Sequence, residues 1–323
     1  MLLWTTAIVA GLVLLVWSAD RFVIGAAAFA KNLGVPTIII GLTIVGFGTS
    51  APEIMVSVIS ALEGTPQLAI GNALGSNIAN IALILGITAL FIPLTVSSSI
   101  LRREYPLLLG STLVAGLLIF DNELSVFDGV ILLTLLIAVM IRVVYVGLNS
   151  PSSDPIQQDF DKELQQKLTT KMAVFWLLAG LVTMVIASQL LVWGASEIAH
   201  SLGVSDLIIG LTIVAFGTSL PELATCISSA MKKEYDIAVG NIIGSNLFNS
   251  LAVLGLPAVI HPTLLSTDVF SRDYALVLVL TLALLVMAYG HKGHGRINRF
   301  EGAILLTMFV GYQVVLYQQT IGS

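Results

Sequence analysis

Charged side chains are scarce in this chain. Aspartate, glutamate, lysine and arginine make up 10% of its 323 residues, whereas about 25% is usual for a soluble domain. Hydrophobic residues make up 57%, and they fall in runs of about 18 to 25 residues, the length of a membrane-spanning helix. A membrane β-barrel would instead need short segments of alternating polarity. The composition therefore excludes a soluble protein and a barrel, and it predicts an all-α membrane protein.

Cysteine and histidine are also rare. The single cysteine, Cys226, excludes an intramolecular disulfide, and we expect it to pack as a small apolar side chain. The four histidines all lie outside the repeated segments described below.

No cleavable signal peptide is expected, because the first apolar run is too long and lacks a basic region before it.

The apolar runs predict ten membrane-spanning helices. The third and the eighth are the least hydrophobic, because they carry Gly-Asn-Ser segments. The predicted spans are residues 2–30, 35–62, 67–93, 104–120, 124–147, 172–200, 205–231, 236–262, 272–290 and 299–319.

Two segments of the chain occur twice. Residues 46–53 read Gly-Phe-Gly-Thr-Ser-Ala-Pro-Glu, and residues 215–222 read Ala-Phe-Gly-Thr-Ser-Leu-Pro-Glu. Each is followed, at the same distance, by a second shared segment, at residues 71–80 and 240–249. A duplicated pair of acidic, glycine-broken segments in an apolar chain is typical of a transporter whose site lies between two repeats.

The lysines and arginines indicate the orientation of the ten spans. If the N-terminus lies outside, the outer loops hold only Arg272. We therefore predict a multi-pass protein of the plasma (inner) membrane with both termini outside. The basic residues of the inner loops are then Lys31, Arg102, Arg103, Lys162, Lys167, Lys171, Lys232, Lys233, Lys292, Arg296 and Arg299.

The same topology divides the chain into two halves. Residues 1–148 and residues 171–323 hold five spans each, and an odd number of spans inverts the second half relative to the first. Residues 149–170 form a cytoplasmic linker. The repeated regions within the halves are residues 34–93 and 203–262. The predicted fold is therefore ten transmembrane helices in two inverted five-helix repeats.

A proline breaks the helix in both copies of the first segment. Pro52 has no N–H, so the carbonyl of Gly48, four residues earlier, loses its helical partner. In lipid such a carbonyl must be satisfied by protein or by a cavity, and a bound cation can satisfy it. Thr49 and Glu53 are four residues apart and share a helix face. The same arrangement recurs at Gly217, Thr218, Pro221 and Glu222.

The second shared segment adds hydroxyls and amides at helical spacing. Ser76 and Asn80 are four residues apart, as are Ser245 and Asn249. The donors are all oxygens, which suit hard cations such as Ca²⁺, and hydroxyls and carbonyls also suit Na⁺. Borderline or soft metals would require imidazole or thiolate ligands. The residue types therefore predict a site for Na⁺ and Ca²⁺ rather than for zinc or copper.

Glu53 and Glu222 are the strongest candidates for cation ligands. The alternative is that they lie at the membrane surface and reach water. Each lies near the middle of its predicted span, where a charged side chain costs about 2.5 to 3.5 kcal/mol or more, and the duplication repeats this cost in both halves. Four further asparagines are predicted to hold irregular backbone together: Asn72, Asn77, Asn241 and Asn246.

The two Gly-Thr-Ser-x-Pro-Glu segments, each followed by Gly-Ser-Asn, resemble the alpha repeats of the cation/calcium exchanger superfamily. The similarity is greatest to its prokaryotic sodium/calcium exchanger branch, and it extends to the span pattern of the whole chain. The resemblance implies ten helices in an inverted five-plus-five arrangement with four cation sites in a diamond at mid-membrane. It also implies secondary active exchange of Na⁺ for Ca²⁺ by alternating access, typically three for one and hence electrogenic, with long first and sixth helices that slide across the core.

The resemblance also implies roles for individual residues. Glu53 and Glu222 would bridge several sites, including a central Ca²⁺ site to which Thr49 and Thr218 add backbone oxygens. Asn80 and Asn249 would line the middle. The outlying Na⁺ sites would be served by Ser50, Ser76, Ser219 and Ser245 and by the carbonyls of Gly46 and Ala215.

Asn249 departs from part of the superfamily. Some relatives, including the K⁺-dependent exchangers, carry aspartate at this position. With asparagine here the centre holds only two carboxylates, whose charge of −2 is matched by one Ca²⁺ or two Na⁺. A requirement for K⁺ is therefore not expected.

Other functions remain open at this point. A Ca²⁺/H⁺ antiporter of the same superfamily is the first alternative, because buried glutamates can take up protons; the proton-coupled branch usually carries a Gly-Asn-Ala-Thr-Glu type of motif instead. An ion channel is disfavoured by the inverted repeat. An enzyme is not expected, because no His-Glu-x-x-His or Ser-His arrangement is present.

We expect no cofactor and no nucleic-acid partner; membrane lipid, Ca²⁺ and Na⁺ are the expected partners.

Overall fold

The computed structural model describes residues 1–34, 46–96, 102–148, 168–289 and 295–322. Nearly all of these residues are helical, as the composition predicts. The beginning of the predicted span 35–62, the end of the span 272–290 and most of the predicted linker 149–170 lie outside the described residues.

The helices follow the predicted spans closely, with a break inside the second and the seventh. In chain order they are α1 (Leu2–Asn32), α2 (Gly46–Thr49), α3 (Ala51–Leu62), α4 (Pro66–Phe91), α5 (Tyr105–Leu118), α6 (Val126–Leu148), α7 (Thr170–Leu202), α8 (Asp206–Thr218), α9 (Leu220–Met231), α10 (Tyr235–Ile260), α11 (Val269–Ala288) and α12 (Arg299–Gly322).

Seven of the described helices are long and apolar enough to cross a membrane. An eighth crossing is formed if α8 and α9 are taken as one span, bent by 43° at their junction. Helices α3 and α5 are apolar but shorter. The chain is therefore an integral membrane protein whose described residues contain seven or eight helices able to cross the membrane.

The two longest helices, α1 and α7, pack side by side along much of their length. Glycines make the close approach possible, because a side chain would collide with the facing backbone. A Cβ atom on Gly180 would lie 2.6 Å from the backbone nitrogen of Phe22, and one on Gly11 would lie 3.0 Å from that of Leu191. The two helices are therefore in close backbone contact.

Helices α4 and α10 form the centre of the molecule. Between Pro66 and Ala89 nearly every residue of α4 is buried, and the inner part of α10 belongs to the same apolar cluster. Each helix contains a wider, π-helical turn, at Ala79–Leu85 and Asn249–Val253. Such turns interrupt the regular backbone ladder and are frequent at functional sites; Asn80 and Asn249 lie in them.

Two short antiparallel ribbons join the halves of the chain. Strand β1 (Leu94–Val96) pairs with β4 (Gly295–Ile297), and β2 (Glu123–Leu124) pairs with β3 (Thr263–Leu264). Each ribbon therefore holds one strand from each half, in loops that flank the central helices.

Candidate functional site

The chain breaks its helices at equivalent serines in the two halves. Ser50 separates α2 from α3, and Ser219 separates α8 from α9. Pro52 and Pro221 each occupy the first turn of the following helix, where a missing N–H costs nothing because that group has no helical acceptor. The breaks therefore follow from the duplicated Ser-x-Pro sequence, and both lie in the buried interior of the molecule.

The two glutamates lie in the first turns of α3 and α9. A carboxylate is stabilised there by the positive end of the helix dipole. Glu53 and Glu222 are both fully buried. The structure thus confirms that both are buried rather than exposed at a membrane surface.

One oxygen of each carboxylate accepts a hydrogen bond from a serine. Ser219 donates to Glu53 Oε1 across the two halves, with an O···O distance of 3.2 Å. Ser245 donates to Glu222 Oε1 within the second half, at 3.1 Å. The structure therefore brings together predicted residues from both halves and from both shared segments.

The threonines are held by asparagines of the opposite half. Thr218 Oγ1 donates to Asn72 Oδ1 at 3.0 Å, and Thr49 Oγ1 donates to Asn241 Oδ1 at 3.3 Å. Asn72 also donates to the backbone carbonyl of Glu53 at 3.2 Å. These bonds agree with the predicted structural role of Asn72 and Asn241, and they tie the broken helices to α4 and α10.

The asparagines of the central helices form an asymmetric network. Asn80 Nδ2 donates to Asn246 Oδ1 at 2.9 Å, and Asn246 Nδ2 donates to the carbonyl of Asn77 at 3.3 Å. Asn249, the counterpart of Asn80, is fully buried, and neither its amide nitrogen nor its amide oxygen has a partner among the described residues.

Buried oxygens without a hydrogen-bond partner concentrate in these segments. Leaving such a group unpaired costs about 1 to 3 kcal/mol, and a cation bound among them would remove that cost. Within the described part of the two repeated segments these oxygens are Ser50 Oγ, Glu53 Oε2, Ser76 Oγ, Asn77 Oδ1, Asn80 Oδ1, Glu222 Oε2 and Asn249 Oδ1; the other described residues add only Ser60 Oγ, Ser188 Oγ, Ser196 Oγ and Asp206 Oδ1.

The donor chemistry is that of a hard cation. The described residues contain no group of three or more histidine, cysteine, aspartate or glutamate side chains able to hold a metal ion. Neutral hydroxyls and amides with two carboxylates remain, which is the ligand type that Ca²⁺ accepts. A binding site here would use few charges and many neutral oxygens.

The backbone carbonyls of Gly46 and Ala215, both predicted as cation ligands, occupy different positions in their helices. Gly46 is the first residue of α2. The carbonyl of Ala215 already accepts hydrogen bonds from the Ser219 N–H at 3.1 Å and from Thr218 Oγ1 at 3.3 Å. Any ligation by Ala215 would therefore use an oxygen that also closes the last turn of α8.

One buried hydroxyl near the centre escaped the sequence analysis. Ser250 Oγ accepts a hydrogen bond from Asn77 Nδ2 at 3.2 Å. Its counterpart in the first half is Ile81, so the duplication gives no signal for it.

Comparison with known proteins agrees with this geometry. The family described as sodium/calcium exchanger protein matches residues 3–145 and 172–318. The chain is 48% identical to CaxA of Alkalimonas amylolytica, named as a candidate antiporter, over 98% of this chain and 99% of CaxA. It is 41% identical to the inner membrane protein YrbG of Escherichia coli K12, over 98% of each chain.

A solved structure extends the similarity to the fold. The sodium-calcium exchanger NCX_Mj, soaked with Na⁺ and Ca²⁺, superimposes with a TM-score of 0.64 at 30% identity, covering 96% of this chain and 97% of the other. The chain therefore belongs to the sodium/calcium exchanger family, which consists of membrane ion exchangers rather than enzymes.

Proposed function

We propose that this protein is a secondary active antiporter that exchanges Na⁺ for Ca²⁺ by alternating access. The observation that carries the proposal is the buried pair Glu53 and Glu222, each accepting one hydrogen bond from a serine and each left with one oxygen that has no partner among the described residues. Both lie at breaks in helices contributed by different halves. A site shared between two halves can be exposed to either side when the halves rearrange.

The charge of the centre explains how two different ions can compete. Two carboxylates carry a net charge of −2, and either one Ca²⁺ or two Na⁺ neutralises this charge. A third Na⁺ bound by neutral oxygens would give a three-for-one exchange that moves one net charge per cycle. The neutral Asn249 supports a centre that needs no K⁺, because no third carboxylate is present there.

The roles of individual residues follow the same distinction between a charged centre and neutral oxygens around it. We propose that Glu53, Glu222, Asn80 and Asn249 surround the central Ca²⁺, together with backbone oxygens of Thr49 and Thr218. Serines and backbone carbonyls would bind the outlying Na⁺: Ser50, Ser76, Ser219, Ser245, Gly46 and Ala215.

We further propose the ten-helix inverted topology, with both termini outside, halves 1–148 and 171–323 and an inner linker. The two ribbons support it, since β1 and β4 both fall in loops assigned to the inside, and β2 and β3 both fall in loops assigned to the outside. The difference in residue number between Glu53 and Glu222 also separates β1 from β3. The two ribbons therefore occupy equivalent positions in the repeats, on opposite faces of the membrane.

The test is ⁴⁵Ca²⁺ uptake into proteoliposomes under outward gradients of Na⁺, K⁺ or H⁺, imposed one at a time. We expect uptake only with the Na⁺ gradient. Uptake that follows the pH gradient and ignores Na⁺ would instead identify a Ca²⁺/H⁺ antiporter.

A further inference from the structure

An arginine of α1, Arg21, lies on the side of the helix that faces away from the cation site. Val23 of the same helix packs against Gly48 of α2, next to the first helix break. Arg21 is two residues earlier, and residues two apart on a helix do not share a face. The side chain of Arg21 is 37% exposed, and the exposed residues that precede it on α1 are the apolar Val13 and Trp17. Arg21 therefore lies on the membrane-facing surface of the long helices.

The packing of α1 against α7 gives the depth of Arg21. Gly11 faces Leu191, and Gly180 faces Phe22; these two contacts are counterparts in the inverted topology proposed above. The midplane of the membrane then crosses α1 halfway between Gly11 and Phe22. Arg21 lies about 7 Å from that point along the helix, towards the inner leaflet, whereas the hydrocarbon extends about 15 Å from the midplane. The backbone of Arg21 is therefore within the hydrocarbon.

Two indole rings cover the guanidinium group of Arg21. Its central carbon lies 5.9 Å from the ring centroid of Trp17 and 5.3 Å from that of Trp176 on α7. The two rings meet edge to face, with their centroids 6.3 Å apart. An indole attracts a cation to its face, but its N–H group is only a hydrogen-bond donor. The rings therefore position the guanidinium without accepting its N–H groups.

No described residue accepts a hydrogen bond from this guanidinium. Nε of Arg21 is buried and has no partner, and its distance of 3.7 Å from Asp20 Oδ2 is too long for a hydrogen bond. Arg272, by contrast, donates to both carboxylate oxygens of Asp273, at 2.6 and 2.9 Å. Charged donors left unpaired in hydrocarbon are costly. Arg21 therefore needs an acceptor that does not come from the described part of the chain.

The position of Trp176 shows where that acceptor comes from. By the same construction Trp176 lies about 14 Å from the midplane on the inner side, the level at which tryptophans collect at the membrane interface. Since the guanidinium contacts this ring, the side chain of Arg21 extends towards the inner headgroups, as long basic side chains do. The counterpart of Arg21 on α7 is Leu190, so the feature belongs to one leaflet only.

We propose that Arg21, held between Trp17 and Trp176, binds the phosphate group of a phospholipid of the inner leaflet. A guanidinium donates two parallel N–H bonds to phosphate oxygens, and the phosphate supplies the acceptor that the described residues lack. The bound lipid lies against both α1 and α7. The inference goes beyond the proposed exchange and rests on its inverted topology, not on which ions are exchanged.

Native mass spectrometry of the detergent-purified full chain measures this binding directly. The probes are phosphatidylglycerol and a diacylglycerol glycolipid with the same acyl chains and no phosphate. Inorganic phosphate serves as a competitor. Arg21→Met keeps an unbranched side chain and removes the donors, and Arg21→Lys keeps the charge. Arg142→Gln is the matched control, because Arg142 is an exposed arginine of α6.

We expect the wild-type protein to bind phosphatidylglycerol about tenfold or more tightly than the glycolipid, as charge-assisted hydrogen bonds would give. Arg21→Met should lose this preference, Arg21→Lys should keep part of it, and Arg142→Gln should keep all of it.

Three results would overturn the proposal. The first is equal affinity of the wild-type protein for the two lipids, a comparison that stands even if Arg21→Met does not fold. The second is an unchanged preference in Arg21→Met, or an equal loss in Arg142→Gln, which would indicate attraction by charge in general. The third is displacement of phosphatidylglycerol by inorganic phosphate, which would identify free phosphate as the ligand.

The lipid site and the antiport can fail separately, because lipid binding is measured without any ion gradient. Wild-type protein that carries out Na⁺-driven Ca²⁺ uptake but shows no preference for the phospholipid would refute the lipid site alone. Binding as expected in a protein that does not exchange Na⁺ for Ca²⁺ would refute the antiport alone.

Discussion

At the scale of the residue, the site depends on two carboxylates that form no ion pair within the described part of the chain. Glu53 and Glu222 are buried, and the hydrogen bonds formed by the described residues satisfy only one oxygen of each. A protein that keeps such groups does so at the expense of its own stability, because burying a charge without compensation is unfavourable. The expected compensation is the transported cation.

Removing either charge should therefore abolish exchange and leave the fold intact. Glu53→Gln or Glu222→Gln keeps the volume but loses a buried, charged ligand, which costs about 3 kcal/mol, or about a hundredfold. Reconstituted Ca²⁺ flux is the measurement, with size-exclusion chromatography as the check on folding. Glu63→Gln is the matched control, since Glu63 is exposed in a loop beyond α3. Near-normal flux in either site variant would mean that the cation binds elsewhere.

Asn249 sets the charge of the centre. Asn249→Asp would place a third carboxylate where neither amide atom now has a partner in the described structure, and like charges oppose each other's ionisation. We expect the variant to hold a proton or to recruit another cation, so its Na⁺-driven Ca²⁺ flux should become dependent on pH or K⁺. The wild-type flux should not respond to K⁺; an absolute K⁺ requirement there would refute the charge account.

At the scale of the element, the pairing of α1 and α7 depends on glycine. Gly180→Ala would place a Cβ 2.6 Å from the backbone of Phe22, and overpacking of this kind costs about 1 to 3 kcal/mol. We expect a lower melting temperature and slower transport. Gly311→Ala is the control, because a Cβ at Gly311 meets nothing within 4 Å and alanine favours a helix. Equal melting temperatures for the two variants would show that the helices are not closely packed there.

Much of the site was predictable at the level of elements, and its asymmetry was not. The sequence predicts the breaks next to Pro52 and Pro221 and the burial of the glutamates, because the duplication repeats both features. It cannot predict that Ser219 rather than Ser76 donates to Glu53, or that Ser250 joins the network. The first outcome depends on which side chains of the two halves face each other, about which a repeat pattern carries no information. The second depends on a residue that the duplication does not repeat, since the counterpart of Ser250 is Ile81.

At the scale of the whole molecule, the orientation stays a prediction from the basic loops. Cysteines placed in the linker, within residues 149–167, on a Cys226→Ala background should resist an impermeant thiol reagent added to intact cells. They should react once the cells are opened. Ready labelling in sealed cells would reverse the orientation.

The central claim is that Na⁺ and Ca²⁺ pass through one shared centre in opposite directions. Its most direct test is the simultaneous measurement of ²²Na⁺ efflux and ⁴⁵Ca²⁺ uptake in proteoliposomes at a clamped membrane potential. The account predicts that the two fluxes are obligatorily coupled, at about three Na⁺ per Ca²⁺ and with a rate that depends on potential, and that Glu53→Gln abolishes both together. Calcium uptake that proceeds without any movement of Na⁺, or that survives in Glu53→Gln, would contradict it.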